Sequence, residues 1–174
     1  MLPFVSEENY SKHKSEVEKI LHRLHILEKT YPEAVARGVC GIMRLRRRIP
    51  DATKMAALCA DVELHRMFFD SFSDRTMIPS AAAREAFSSE AALLSLLLRD
   101  GMQFSHGFVC IGRDRRGNLV VRASADPLAI YTDVEPTLAV DVCEHAYYGD
   151  YGFDKERYLR TALAHLKLSL LDSK

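Results

Sequence analysis

Ala139-Val-Asp141-Val-Cys143-Glu144-His145-Ala-Tyr147-Tyr148-Gly-Asp-Tyr151 is the stretch on which the fold turns. It leads out of a β-type run, Thr137 to Val142, into a segment crowded with ionisable and aromatic groups. Upstream, Gly107 to Ile111 and Leu119 to Ser124 are two further β-type runs, and Asp114-Arg-Arg-Gly117-Asn118 between them has hairpin-turn composition. Pro136 is expected to break the chain before the third strand. Downstream, Lys155 to Leu171 reads as an amphipathic helix with Tyr158, Leu159, Ala162, Leu163, Leu166 and Leu170 on one side. Further towards the N-terminus the period lengthens. Ile20, Leu21, Leu24, Leu27 and Tyr31 form a helical stripe that Pro32 ends, and Asp51 is placed to cap a second helix running to Phe72. Ser80 to Arg99 is again helical, with a break near Ser88 and Ser89, and Gly101 is expected to end it. Helices followed by adjacent strands and a closing helix indicate an α+β protein rather than an alternating α/β one. The loop composition of Ser71 to Pro79 divides it into a helical hairpin, 1–76, and a C-terminal domain, 77–174.

Composition narrows the function classes. The chain has 24 basic and 24 acidic side chains, so no net field marks it as a general polyanion binder. At 174 residues it can bury a full core and needs no disulfide staples. Cys40, Cys59, Cys110 and Cys143 show neither C-x-x-C nor zinc-finger spacing and read as small buried thiols of a reducing compartment. No apolar run approaches a membrane span. The acidic N-terminus (Glu7, Glu8, Glu16, Glu18) has no signal core, which leaves a cytoplasmic protein or a chain whose numbering begins near a processed end.

Asp141, Val142, Glu144, His145, Ala146, Tyr147, Tyr148 and Tyr151 coincide with the D-V-W-E-H-A-Y-Y signature of the iron/manganese superoxide dismutases, which this chain closely resembles. Leu2-Pro3-Phe4, Leu64-His65-Arg66-Met67-Phe68-Phe69, Gly107-Phe108 and Gly117-Asn118-Leu119 extend the resemblance over nearly the whole chain. It implies a helical hairpin packed on a domain with a three-stranded antiparallel sheet and flanking helices. It also implies one iron or manganese ion held by three imidazoles and a carboxylate, a donor set suited to such metals. Carried over, the ligands are His65, Asp141 and His145 with a first-helix histidine. Counting from Ser15 gives His22; anchoring on Tyr31 gives Arg23, which cannot ligate; His25 is the fallback. Histidines on a helix, His13 among them, are more often solvated or satisfied than ligating.

The resemblance also exposes departures. Active members carry a His and a Tyr one and two turns beyond the first ligand; from His22 these are Ile26 and Thr30. The signature Trp is Cys143, the iron-type Gln four residues before the second histidine is Asp61, and the substrate-guiding Arg is Lys155. Meanwhile Arg44, Arg46, Arg47 and Arg48 cluster in the connection between the long helices, where guanidinium groups suit phosphates or an acidic partner. Similarity to non-catalytic superoxide-dismutase-like subunits implies a mitochondrial small-subunit ribosomal protein bound to ribosomal RNA and proteins. Glu144 and Tyr148 would pair it with another superoxide-dismutase-like chain. The alternative is a divergent iron or manganese superoxide dismutase.

Overall fold

The computed structural model describes residues 1–172. Helix α1 (Glu7–Thr30) begins at Ser6, whose side chain accepts from the Asn9 N–H, with Glu7 and Glu8 in its first turn where the helix dipole favours anions. Two short helices, α2 (Pro32–Val35) and α3 (Gly38–Arg44), fill the connection to α4 (Ala52–Asp70). Asp51 stands at the N-cap position of α4 but makes no side-chain capping bond. Leu24, Val39, Ile42, Met55, Cys59 and Val62 form the core between these helices.

The expected break at the paired serines is real. Ser88 adopts the left-handed conformation (φ 65°) and ends α5 (Ala81–Phe87), while Ser89 caps α6 (Glu90–Met102). Gly101 does not end α6; it lies inside the last turn, where its missing Cβ lets the Leu159 side chain close in. Strands β1 (Phe108–Asp114), β2 (Leu119–Ser124) and β3 (Val134–Asp141) form an antiparallel sheet in the order β2-β1-β3. Pro136 lies within β3 rather than before it. It sits opposite Gly112, where the register shifts, so its lack of an N–H falls at the irregularity of the ladder. Between β2 and β3 is a helix not anticipated from the sequence, α7 (Pro127–Asp133), capped by Asp126 with Pro127 in its first turn.

After α8 (Glu144–Tyr151), helix α9 (Lys155–Leu163) stops a full two turns before Leu171. The chain leaves the helix because Leu166 and Lys167 bridge to Phe72 and Ile78, and a 3-10 turn (Leu168–Asp172) follows. Period-two alternation covers the sheet on both faces. Val109 and Ile111 of β1 pack with Leu93, Leu97, Tyr158 and Leu159, joined by Leu2 and Phe4 from the chain start. Phe108 and Cys110 face the other way, against Leu64 of α4 and Ile130 of α7. Among the described residues no helix is long and apolar enough to cross a membrane. The four cysteines are free, and Cys40, contrary to expectation, is exposed.

Gly107 joins the loop to β1 with φ +99°, and a Cβ there would lie 2.1 Å from the Ser124 carbonyl oxygen. Gly107→Ala is expected to cost about 2–4 kcal/mol in urea denaturation, combining backbone strain with a backbone clash. Gly117→Ala, also at positive φ but with open space around it, is the comparison. Equal losses for the two would show that the clash with β2 contributes nothing.

Candidate metal centre

Four side chains from four elements converge beneath the start of α8. His13 comes from α1, His65 from α4, Asp141 from the end of β3 and His145 from α8. Their donor atoms all lie within 4.8 Å of one another. Asp141 is fully buried, and its Oδ2 lies 3.0 Å from His13 Nε2, 3.4 Å from His65 Nε2 and 2.9 Å from His145 Nε2. Its Oδ1 accepts from the Cys143 N–H, and its main-chain carbonyl accepts from the Tyr158 hydroxyl.

The histidine that α1 brings into the group is His13, not His22. His22 and the fallback His25 are exposed on α1, and neither belongs to the group. Nine residues of helix put His22 about 13 Å further along the axis than His13. The counting from Ser15 missed a signal that was present. Stepping back by three or four from the stripe Leu27, Leu24, Ile20 reaches Val17, His13 and Asn9, whereas His22 lies off that stripe. Asn9 fixes this end of α1 against α8 by donating from Nδ2 to the Ala146 carbonyl.

The inner wall is aromatic. His13 lies against Phe68 and Phe69, and His65 meets Phe108 edge-on. His65 Nδ1 hydrogen-bonds the Asp61 carbonyl, which directs Nε2 into the cluster, and the Asp61 carboxylate lies 3.1 Å from the same Nδ1. His145 alone is open, its side chain 35% exposed. Cys143, at the signature tryptophan position, is partly buried, and its Sγ accepts from the Gly107 N–H.

The electrostatics suit a cation. Burial opposes charge on Asp141, yet the three imidazoles around it, His145 through a hydrogen bond, hold its carboxyl well below the usual range. Burial lowers the pKa of His13. His65 is pushed up to about 10: burial opposes this, but Asp141 and Asp61 outweigh it. The Nε2 atoms of His13 and His65 are buried, close to Asp141, and off line for a hydrogen bond to it. Two orphaned imidazole nitrogens aimed at a shared point beside a carboxylate are what a bound cation would satisfy. Three nitrogens, one oxygen and no thiolate fit iron or manganese.

Two of the four residues, Asp141 and His145, fall in a stretch that matches known proteins. The family described as iron/manganese superoxide dismutases, C-terminal domain, matches residues 79–172, more than half of the chain. The chloroplastic superoxide dismutase [Fe] 3 of Arabidopsis thaliana is 37% identical over 67 residues. That stretch is 37% of this chain and 25% of the relative, so the aligned part spans a quarter of the relative's length.

The raised His65 pKa sets a pH dependence for the metal-free protein. Its stabilising contribution is fully present below pH 6.5, the ordinary histidine value, and is lost as pH rises through about 10. A urea-unfolding series over that window should show falling stability, and His65→Gln should flatten the fall. The same slope in both proteins would assign the loss to other groups. Metal addition should raise the melting temperature of the wild-type chain, and Asp141→Asn should abolish the rise.

Proposed function

The chain belongs to the iron/manganese superoxide dismutase family, and from that premise we propose that it is a metal-holding, superoxide-dismutase-like structural protein with little or no dismutase turnover. One observation carries the proposal: the donor set is complete, but the groups that would serve it are not. One and two turns beyond His13, where active members resembling this chain have His and Tyr, stand Val17 and Leu21.

His13, His65, Asp141 and His145 would hold the ion, which supplies one-electron chemistry towards superoxide when bound. The chain's own side chains do the rest poorly. Forming hydrogen peroxide from superoxide consumes two protons, and neither Val17 nor Leu21 can hold or pass one. Asp61 replaces an amide donor with an ionised acceptor beside His65. Lys155, in place of the guiding arginine, is buried with its ammonium bonded to the Phe104 carbonyl, so it is no mobile anion guide. Phe68, Phe69 and Phe108 exclude water on the inner side, and access is from the α8 face through His145. Each such loss typically costs 10–100-fold, so three independent ones cost about a thousandfold or more.

The same α8 face supports pairing with a second superoxide-dismutase-like chain. Glu144 is exposed, and Tyr148 stacks edge-on with Phe153, which is 88% exposed. The finer placement is the small subunit of the mitochondrial ribosome. It is supported by Arg44, Arg46, Arg47 and Arg48, all exposed and, among the described residues, in no ion pair. The second reading, a divergent iron superoxide dismutase, is favoured by the complete donor set and by the named relative.

Metal analysis with a dismutation assay separates the two. The fully loaded chain should turn over superoxide at least about a thousandfold below the diffusional ceiling of ~10⁹ M⁻¹s⁻¹. Turnover near that ceiling refutes the structural reading. Glu144→Ala should shift sedimentation from dimer to monomer with metal stoichiometry unchanged, and a persistent dimer would remove Glu144 from the pairing.

A further inference from the structure

Away from the metal centre, a cleft of about 750 Å³ opens between the inter-helix connection and the β1–β2 hairpin. Arg37, Arg44 and Arg46 line it from the connection, and Arg113 and Arg115 from the hairpin. Among the described residues none of these five guanidinium groups has a carboxylate within 4.0 Å. Arg113 is turned to the opposite face of the sheet, where its guanidinium donates to the Gly117 and Leu171 carbonyls, while Arg115 is held at the cleft by its bond to the Thr132 carbonyl. Each bond uses a fraction of a guanidinium's five donors.

The cleft also holds four carboxylates, of which Asp133 is charge-paired. Asp114 accepts from the Arg116 and Asn118 main-chain N–H groups inside the hairpin turn. Asp133 pairs with Arg122 at 2.8 Å, and Glu63 accepts from the Cys59 thiol. Only Glu135 makes no such bond among the described residues, and Arg47 and Arg48 stand exposed beside the connection wall. Met43 and the half-buried Tyr131, whose ring packs in part against the core, also line the cleft.

Guanidinium groups on two walls with an aromatic in the lining match the way a single nucleic-acid strand is held, phosphates on the cations and bases against the ring. The cleft's volume is of nucleotide size. We propose that this cleft is a single-stranded RNA site, in which Arg37, Arg44 and Arg46 on one wall and Arg115 on the other contact successive phosphates. It rests on the RNA-contacting part of the reading above and extends it from the exposed connection to a formed cleft, adding Arg37 and Arg115.

Fluorescence anisotropy with a labelled 20-nucleotide RNA of mixed sequence, from 50 to 200 mM KCl, tests it. Affinity should fall linearly on logarithmic axes. Arg37→Gln with Arg115→Gln should reduce the salt slope by about 1.4, since each phosphate contact on a single strand contributes about 0.7. Arg157→Gln with Arg160→Gln, the same charge change on α9, should leave the slope nearly unchanged. Single Arg37→Gln, at an exposed position with no hydrogen bond, gives half the effect should the double variant melt early. A wild-type slope in the cleft variants, with binding lost in Arg46→Gln/Arg47→Gln/Arg48→Gln, overturns the cleft and leaves the connection as the contact. Displacement of the RNA by polyglutamate, charge for charge, overturns it in favour of an acidic protein partner. Absence of RNA binding by the wild-type chain overturns the RNA-contacting reading itself, and the cleft site with it.

Discussion

A single buried carboxylate sets the architecture. Asp141 has no solvent contact, and an ionised carboxylate in that position is tolerable only if it is fully partnered. The imidazoles of α1, α4 and α8 lie within 3.4 Å of it, and hydrogen bonds come from His145 and from the Cys143 main chain. Satisfying one side chain therefore fixes where three helices meet the end of β3. The aromatic residues around the cluster make that arrangement drier, which strengthens the attraction and raises the cost of losing any one partner.

The parts legible in the sequence were those encoded locally. The α+β order, the hairpin and the Asp141–His145 pair are written in short runs with their own periodicity or motif. What escaped depends on partners distant in sequence. α9 stops at Leu163 because Phe72 and Ile78 compete for the residues that follow, a tertiary override that helical periodicity cannot foresee. Pro136 is tolerated in β3 because Gly112 lies opposite it, across a register shift. His13 differs in kind: its phase with the apolar stripe of α1 is local and legible, whereas the spacing from Ser15 points to His22. The departures from the enzyme pattern survive that correction. Moving the first donor from His22 to His13 exchanges Ile26 and Thr30 for Val17 and Leu21, whose side chains carry no polar hydrogen at all.

The thiols fit a site not built on sulfur chemistry. Burial pushes Cys59 up to about 12 and raises Cys110 and Cys143 further, so all three stay protonated and unreactive at neutral pH. Cys143 is close to Asp141 and acts as an acceptor for the Gly107 N–H.

The start of the chain is sewn to α8 by three bonds: Ser6 N–H to Asp150, Asn9 Nδ2 to the Ala146 carbonyl, and the Tyr151 hydroxyl to the Phe4 carbonyl. They join residues 144, 137 and 147 positions apart. Closing a loop that long is slow and entropically costly, but once one bond forms the other two close only short remaining segments. The N-terminal arm and α8 should therefore dock late in folding and come apart together. A protease that clipped the arm ahead of α1 would release Phe4 and Ser6, loosening α8 although α8 itself stayed uncut.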